Sequence, residues 1–295
     1  MEALIVALVI LAAVVVFALV RRFRAAKARE SGQSLIRFCI PLSETTPLDP
    51  AHLMADFQER WGIKIGCEEN ADWSNPTRKM RKYLLTDGLN MIIISTYEKP
   101  LPSNLRKITA EGASDLTNEQ RTAFTEHQGF AAIEYATGPD QPVENVRFTA
   151  KVLLSMLSIM PGTGYISIPG QVYRPMEKVR QFMREESLEP TALYLLAVGL
   201  QFVYDQREVW LHTHGMEQFR LPDLEMKFPD RAQSGHYQEL IAEAAVYMMD
   251  QGPVLKPGHT CELGGDGIVY QLRAPRGESR RHFGRNGALE IERKA

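Results

Sequence analysis

The 295-residue sequence lacks the signatures of several common enzyme and secreted classes. Its three cysteines, Cys39, Cys67 and Cys261, are widely spaced and form no CxxC pair, which argues against a disulfide framework and a thiolate zinc site. The sequence also has no GxSxG nucleophile elbow and no phosphate-binding GK[ST] motif. We therefore expect free thiols and no cofactor, and we assign no catalytic residue.

An excess of positive charge is absent as well. The chain has 34 lysines and arginines against 36 aspartates and glutamates, for a formal net charge of −2. Five of the basic residues cluster near the N-terminus: Arg21, Arg22, Arg24, Lys27 and Arg29. Without this cluster, the remainder of the chain is acidic. An acidic domain is a poor partner for nucleic acid, so we expect none to bind.

The longest apolar feature is the run of eighteen residues from Ala3 to Val20, directly before that basic cluster. As a helix the run is about 27 Å long, enough to cross a bilayer, and the cations after it favour a cytoplasmic flank. We expect residues 1–30 to form a transmembrane anchor whose basic side chains contact anionic lipid. A cleaved export signal is the alternative, and it would place the rest of the chain outside the membrane.

After residue 30 the pattern alternates between strands and helices. A buried strand is predicted at 91–97. Further strands are predicted at 35–40, 130–136, 165–168, 193–202, 208–213, 221–228 and 268–272. Helices are predicted from about residue 51 to Trp61, at 142–160 and at 237–250. This order is typical of an α+β fold with a mixed sheet. We divide it into two related halves, 31–140 and 141–272, followed by a solvated basic tail at 273–295.

The chemically most suggestive segment is a predicted strand pair near residues 209–226, which we call the histidine hairpin. If His212 lies opposite Asp223, then Trp210 lies opposite Glu225. The two-residue alternation of strands then places Trp210, His212, His214, Asp223 and Glu225 on one face. Two imidazoles beside two carboxylates can bind a divalent metal or carry out general acid/base chemistry.

A structural interpretation of the same cluster stays open. On this view the histidine–carboxylate pairs stabilise a solvated sheet face, and Pro222, which cannot donate to a ladder, marks an edge strand. His259 and Cys261 are further metal-ligand types, but nothing in the sequence brings them near the hairpin. We therefore list His212, His214, Asp223 and Glu225 as a candidate functional cluster without assigning a metal.

The stretch LHTHGMEQFRLPDLEM, with the helix before PGTGYISIPG, resembles bacterial α+β domains of unknown function. His214, Gly215, Pro222, Asp223 and Glu225 match their "THG…PELE"-like strand pair. Some relatives resemble immunity or accessory proteins of toxin systems, which implies a protein partner. The resemblance is to soluble bacterial domains, so the expected inner-membrane location comes from the N-terminal anchor of this chain. We expect a cytoplasm-facing, partner-binding module; the alternatives are a metal-dependent enzyme or sensor using the hairpin, and a structural membrane-tethered subunit.

Overall fold

Two β-sheets form the framework of the fold in the computed structural model. The structure describes residues 36–103, 116–185, 187–204, 208–265, 267–275 and 286–294, all within the compact unit Leu35–Ala295. Strands and helices together make an α+β fold, as the sequence predicts.

The first sheet has seven strands in the order β2-β3-β4-β5-β1-β6-β7, each antiparallel to its neighbours. Side chains alternate between the two faces of each strand, and one face of the sheet packs against the core. In β4, Ile92 and Ile94 are fully buried while Ile93 is half-buried. The strands are β1 (Arg37–Leu42), β2 (Gly66–Glu69), β3 (Met80–Thr86), β4 (Met91–Tyr97), β5 (Gly129–Thr137), β6 (Gly164–Ser167) and β7 (Val172–Pro175).

The second sheet has six strands in the order β11-β12-β13-β10-β9-β8. It is mixed, because β10 and β13 are parallel while the other pairs are antiparallel. Its strands are β8 (Gly199–Tyr204), β9 (Val209–His214), β10 (Asp223–Phe228), β11 (Thr260–Glu262), β12 (Val269–Arg273) and β13 (Ala288–Arg293).

Two of the described α-helices begin at a residue whose side chain caps them. Asp49 caps the first by accepting hydrogen bonds from the amides of Ala51 and His52, and Thr117 forms a reciprocal capping box with Gln120. The helices are α1 (Pro50–Trp61), α2 (Asn118–Thr125), α3 (Pro142–Ile159), α4 (Met176–Val179), α5 (Pro190–Ala197) and α6 (Ser234–Gln251).

One hydrophobic core serves both sheets. Helix α3 contacts α1, β5 and α5, and α6 contacts α5, β9 and β10. A single cluster of buried side chains therefore runs from Phe38 and Ile40 of the first sheet, through Leu153 of α3, to Leu211 and Met226 of the second. The inner face of the histidine hairpin belongs to this cluster, and its polar side chains occupy the opposite face.

The predicted fold class needs correction at the N-terminal end. Over the ranges that the structure describes, no helix has both the length and the apolarity needed to cross a bilayer. The run 3–20 and the basic residues Arg21, Arg22, Arg24, Lys27 and Arg29 lie outside those ranges. The described residues therefore form an α+β fold that includes no membrane-spanning helix, and the membrane and cytoplasmic location stays a prediction.

Two further segments differ from the sequence-based expectation. The apolar run at 193–202, predicted as a strand, is split between α5 and β8, because Pro190 begins a helix that takes up its first half. Residues 288–293 of the predicted tail form β13, paired on both sides inside the second sheet. The boundary predicted at 140/141 falls between β5 and α3, whereas the first sheet continues to β7.

Candidate functional site

The histidine hairpin is a strand pair closed by a short helical turn. Strands β9 and β10 are joined through Gly215 and the 3-10 turn Met216–Phe219. Gly215 has a φ of 102°, and a Cβ there would lie 2.9 Å from the backbone of Gly170. Only glycine fits this conformation and this close approach.

The predicted register of the hairpin is wrong by two residues. His212 pairs with Glu225, and Trp210 pairs with Lys227. An even shift leaves every side chain on the face it would otherwise have occupied. His212 and His214 are thus on the same face of the sheet as Glu225, and Lys227 also lies on that face.

This polar face is buried, so the expectation of a solvated face is wrong. His212 is 3% exposed, His214 5%, Asp223 2% and Glu225 1%. Part of the cover is the turn between β6 and β7, since Gln171 Nε2 lies 3.5 Å from His214 Nδ1. Gln201 of β8 donates to Gln171 Oε1 at 3.2 Å. The turn of PGTGYISIPG therefore packs on the histidine hairpin.

Asp223 holds the turn of the hairpin together. Its Oδ1 accepts hydrogen bonds from Thr213 Oγ1 at 3.1 Å and from the amide of Met216 at 3.2 Å. Thr213 Oγ1 in turn accepts from the amide of Leu224 at 2.8 Å. Pro222 directly precedes β10, a central strand with partners on both sides, so the expected edge position is wrong.

Glu225, Lys227 and Glu290 form an ionic triad in which both glutamates are buried and Lys227 is partly exposed. Lys227 Nζ lies 3.1 Å from Glu290 Oε1 and 3.5 Å from Glu225 Oε1. It also lies 4.6 Å from the centre of the Trp210 ring, while the indole Nε1 of Trp210 donates to Glu208 at 2.7 Å. The triad joins β10 to β13 on the face of the two histidines.

Burial and ion pairing shift the pKa values of Glu225 and Lys227. Desolvation raises the pKa of Glu225 above its usual range, and the opposing charge of Lys227 does not cancel that effect. Desolvation also opposes the charge of Lys227, yet the hydrogen bond and charge of Glu290 and the charge of Glu225 raise the pKa of Lys227 overall. The raised pKa of Lys227 keeps its ammonium charged, whereas the raised pKa of Glu225 favours the neutral carboxyl more than in water.

Sequence reasoning missed both Lys227 and Glu290. Lys227 follows Glu225 by two residues, so the alternation of the strand could have placed it on this face. Glu290 pairs with Glu225 across the parallel β10–β13 ladder, and its strand was interpreted as part of a tail. No local signal connects residues 65 positions apart.

The geometry bears directly on metal binding. The rings of His212 and His214 meet edge to face, with centroids 4.8 Å apart. Within the described ranges, no group of three or more His, Cys, Asp or Glu side chains is arranged to hold a metal ion. Cys261 lies in β11, and His259 just precedes that strand. Strand β11 is four strand spacings, about 19 Å, from β9 of the histidine hairpin.

Two concave features occur elsewhere on the described surface. An open groove of about 380 Å³ lies where α3 and α5 begin and α6 ends, lined in part by Gln141, Arg147 and Asp250. A smaller cavity of about 20 Å³ lies beside β3 and β4, next to Arg81 and Tyr97. Neither is lined by residues of the histidine hairpin. The hairpin cluster is a buried polar network, and a function for it stays a prediction.

Residues 200–274 match the family model described as "Protein of unknown function (DUF4026) C-terminal". The matched range begins in β8 and includes the histidine hairpin. It agrees with the expected similarity to an uncharacterised domain. No curated protein and no solved structure matches the chain.

Proposed function

We propose that this protein is a partner-binding module that docks an extended segment of another protein against edge strand β8. In such a complex the incoming segment adds a strand to the sheet: backbone hydrogen bonds supply affinity, and alternate side chains supply specificity. The observation that carries the proposal is the composition of β8 compared with the other sheet edges.

Sheet edges are normally protected by charge, proline or short length. Within the described part of the chain, the two sheets end at β2, β7, β11 and β8. Strand β2 contains two glutamates, β7 contains Arg174 and Pro175, and β11 has three residues, one of them Glu262. Strand β8, GLQFVY, has six residues and neither charge nor proline. It is the edge best suited to accept another strand.

Apolar side chains lie on both faces of β8: Val203 is on the face of Trp210, and Phe202 and Tyr204 are on the opposite face. Val203 is 42% exposed and Tyr204 51% exposed. The rings of Phe202 and Tyr204 are stacked in parallel, 6.1 Å apart, and the guanidinium of Arg231 lies 4.6 Å from the Tyr204 ring centre. These contacts hold the aromatic groups in place before a partner arrives, which lowers the entropic cost of binding.

The charges beside β8 indicate which residues a partner segment would carry. Arg231 has no ion pair with a described residue, and β8 itself carries no charge. A complementary segment would have apolar residues at alternate positions and an acidic residue near Arg231. The resemblance to immunity or accessory proteins supports a protein as the partner. The metal-dependent alternative stays a prediction that elemental analysis of the purified chain would test.

Site-specific photocrosslinking in cells that produce the full chain tests this proposal. The crosslinker is placed at Val203 and, in a second variant, at Val269 of β12. Val269 is the matched control, because it is an exposed valine of the same sheet with 39% exposure. We expect one dominant protein adduct from position 203 that is absent from position 269.

A second set of variants in the same crosslinking experiment places a charge on the edge strand. With the crosslinker at Tyr204, Val203→Glu is expected to abolish the adduct, and Val269→Glu to leave it unchanged. Arg231→Glu is expected to weaken it, because the partner's acidic residue would then face a like charge. Equal adducts from positions 203 and 269, or an adduct that survives Val203→Glu, would overturn the proposal.

A further inference from the structure

A second, smaller hydrophobic cluster lies on the outer face of the first sheet. Cys39, Phe130 and Ile166 are among its sheet residues, and all three are buried. Leu101 and Phe124 cover them from outside the sheet. Leu101 belongs to the segment after β4, residues 98–103, which we call the strap, and Phe124 belongs to α2. The cluster therefore depends on the strap and α2 staying in place.

His127 connects these two covering elements. Its Nε2 lies 2.8 Å from the amide nitrogen of Leu101, and its Nδ1 lies 2.5 Å from the carbonyl oxygen of Phe124. The carbonyl can only accept, so Nδ1 carries the ring hydrogen; the amide can only donate, so Nε2 must be the acceptor. The contacts thus require the neutral ring with its hydrogen on Nδ1.

Protonation would destroy one of these contacts. An imidazolium carries hydrogen on both nitrogens, so Nε2 would then point a hydrogen at the Leu101 N–H. His127 is 2% exposed and Leu101 1% exposed, so water cannot replace the lost acceptor while the strap stays closed. A buried donor without an acceptor, beside a buried charge, is costly. Opening of the strap relieves both penalties.

We propose that His127 is a pH-dependent latch: its protonation detaches the strap from the outer face of the first sheet and uncovers the cluster around Cys39. The inference is independent of the partner-binding proposal, since β8 lies in the other sheet. The apolar outer face of the first sheet is then exposed in a state that forms in mildly acidic conditions.

The other titratable groups around the latch cannot imitate this response. In the cluster, burial raises the pKa of Cys39 to about 12 and raises the pKa of Tyr173. Burial also raises the pKa of Tyr97, which packs against the cluster from β4. These groups stay neutral from pH 5 to pH 8. Among the described residues of the strap and α2, the charged side chains are exposed: Glu98 and Lys99 on the strap, and Glu119, Arg121 and Glu126 on and just after α2.

Amide hydrogen exchange of the full chain tests the latch residue by residue. Exchange is measured between pH 7.5 and pH 5.0 and corrected for the intrinsic pH dependence of the chemistry. We expect the protection of the Leu101 amide to fall about tenfold or more. The Gln128 amide, which donates to the Leu42 carbonyl at 2.8 Å, is the internal control because its bond does not involve the ring. Unchanged Leu101 protection, or an equal fall at Gln128, would refute the latch.

Thiol labelling supplies a second readout. Cys39 lies under the strap and Cys67 belongs to the main core, and burial raises the pKa of each to about 12, so their intrinsic pH dependence cancels in the ratio. We expect the Cys39:Cys67 labelling ratio to rise about tenfold at pH 5.0 in the natural chain. It should not change with pH in His127→Gln, whose amide does not titrate. A ratio independent of pH in the natural chain would overturn the proposal.

Discussion

Replacement of Lys227 by methionine should lower the free energy of unfolding by about 3 kcal/mol at pH 8. The substitution removes the cation 3.1 Å from Glu290 and 3.5 Å from Glu225, and it keeps an unbranched side chain only one atom shorter. Two carboxylates on paired residues of β10 and β13 would then face each other without compensation. The change is a loss of charge pairing rather than of packing.

The magnitude follows from the burial of each partner. The side chain of Glu225 is 1% exposed and that of Glu290 10%, whereas that of Lys227 is 22% exposed. Breaking a fully buried ion pair by removing one partner costs about 3–5 kcal/mol. The partial exposure of Lys227 places the expected loss at the lower end, about 3 kcal/mol, because water can reach the position that the ammonium leaves.

The loss should shrink at lower pH. The pKa of Glu225 is raised in the folded state by desolvation, so the folded chain binds this proton more readily than the unfolded chain. Stability contributed by this group therefore falls as pH rises from the ordinary value of 4.5 through the raised one. Without Lys227 the pKa of Glu225 rises further, so acidification from pH 8 to pH 5 should restore part of the lost stability.

Urea unfolding of the full chain, followed by circular dichroism at pH 8 and pH 5, measures these effects. The double variant Lys227→Met/Glu225→Gln is the control, because it removes the cation together with one of its two anions. We expect it to be more stable at pH 8 than Lys227→Met alone. A loss below about 1 kcal/mol, the size of a surface ion pair, would refute the reasoning. So would a double variant no more stable than the single one.

Two further predictions concern backbone strain and thiol reactivity. Gly215→Ala should lower the free energy of unfolding by about 1–3 kcal/mol in the same assay, because a Cβ at φ 102° would lie 2.9 Å from the Gly170 backbone. Gly235→Ala in α6, which meets no atom within 4 Å, should instead stabilise by about 0.5–1 kcal/mol; equal effects would contradict the strain. At pH 8 a thiol reagent should modify the half-buried Cys261 before the buried Cys39 and Cys67, and faster reaction of either buried thiol would contradict the core placement.

Local sequence patterns predicted most elements correctly in type. The run at 91–97 is strand β4, and the pattern at 142–160 corresponds to α3. The pattern at 193–202 failed, because a short apolar run fits a buried helix and a buried strand equally well. Pro190 favours a helix start, and the packing of α5 against α3 and α6, which lie far away in the sequence, completes that choice.

The sequence by itself determined that the chain forms an α+β fold and that His212, His214 and Glu225 share one face of a strand pair. Both follow from local periodicity, which survives an error of two residues in register. Only the tertiary structure decided that this face is buried, that Lys227 and Glu290 complete an ionic triad there, and that β8 is an edge. The reason is physical: burial and strand neighbours depend on residues far apart in the chain, such as Gln171 and Glu290, whose approach is set by the packing of whole sheets.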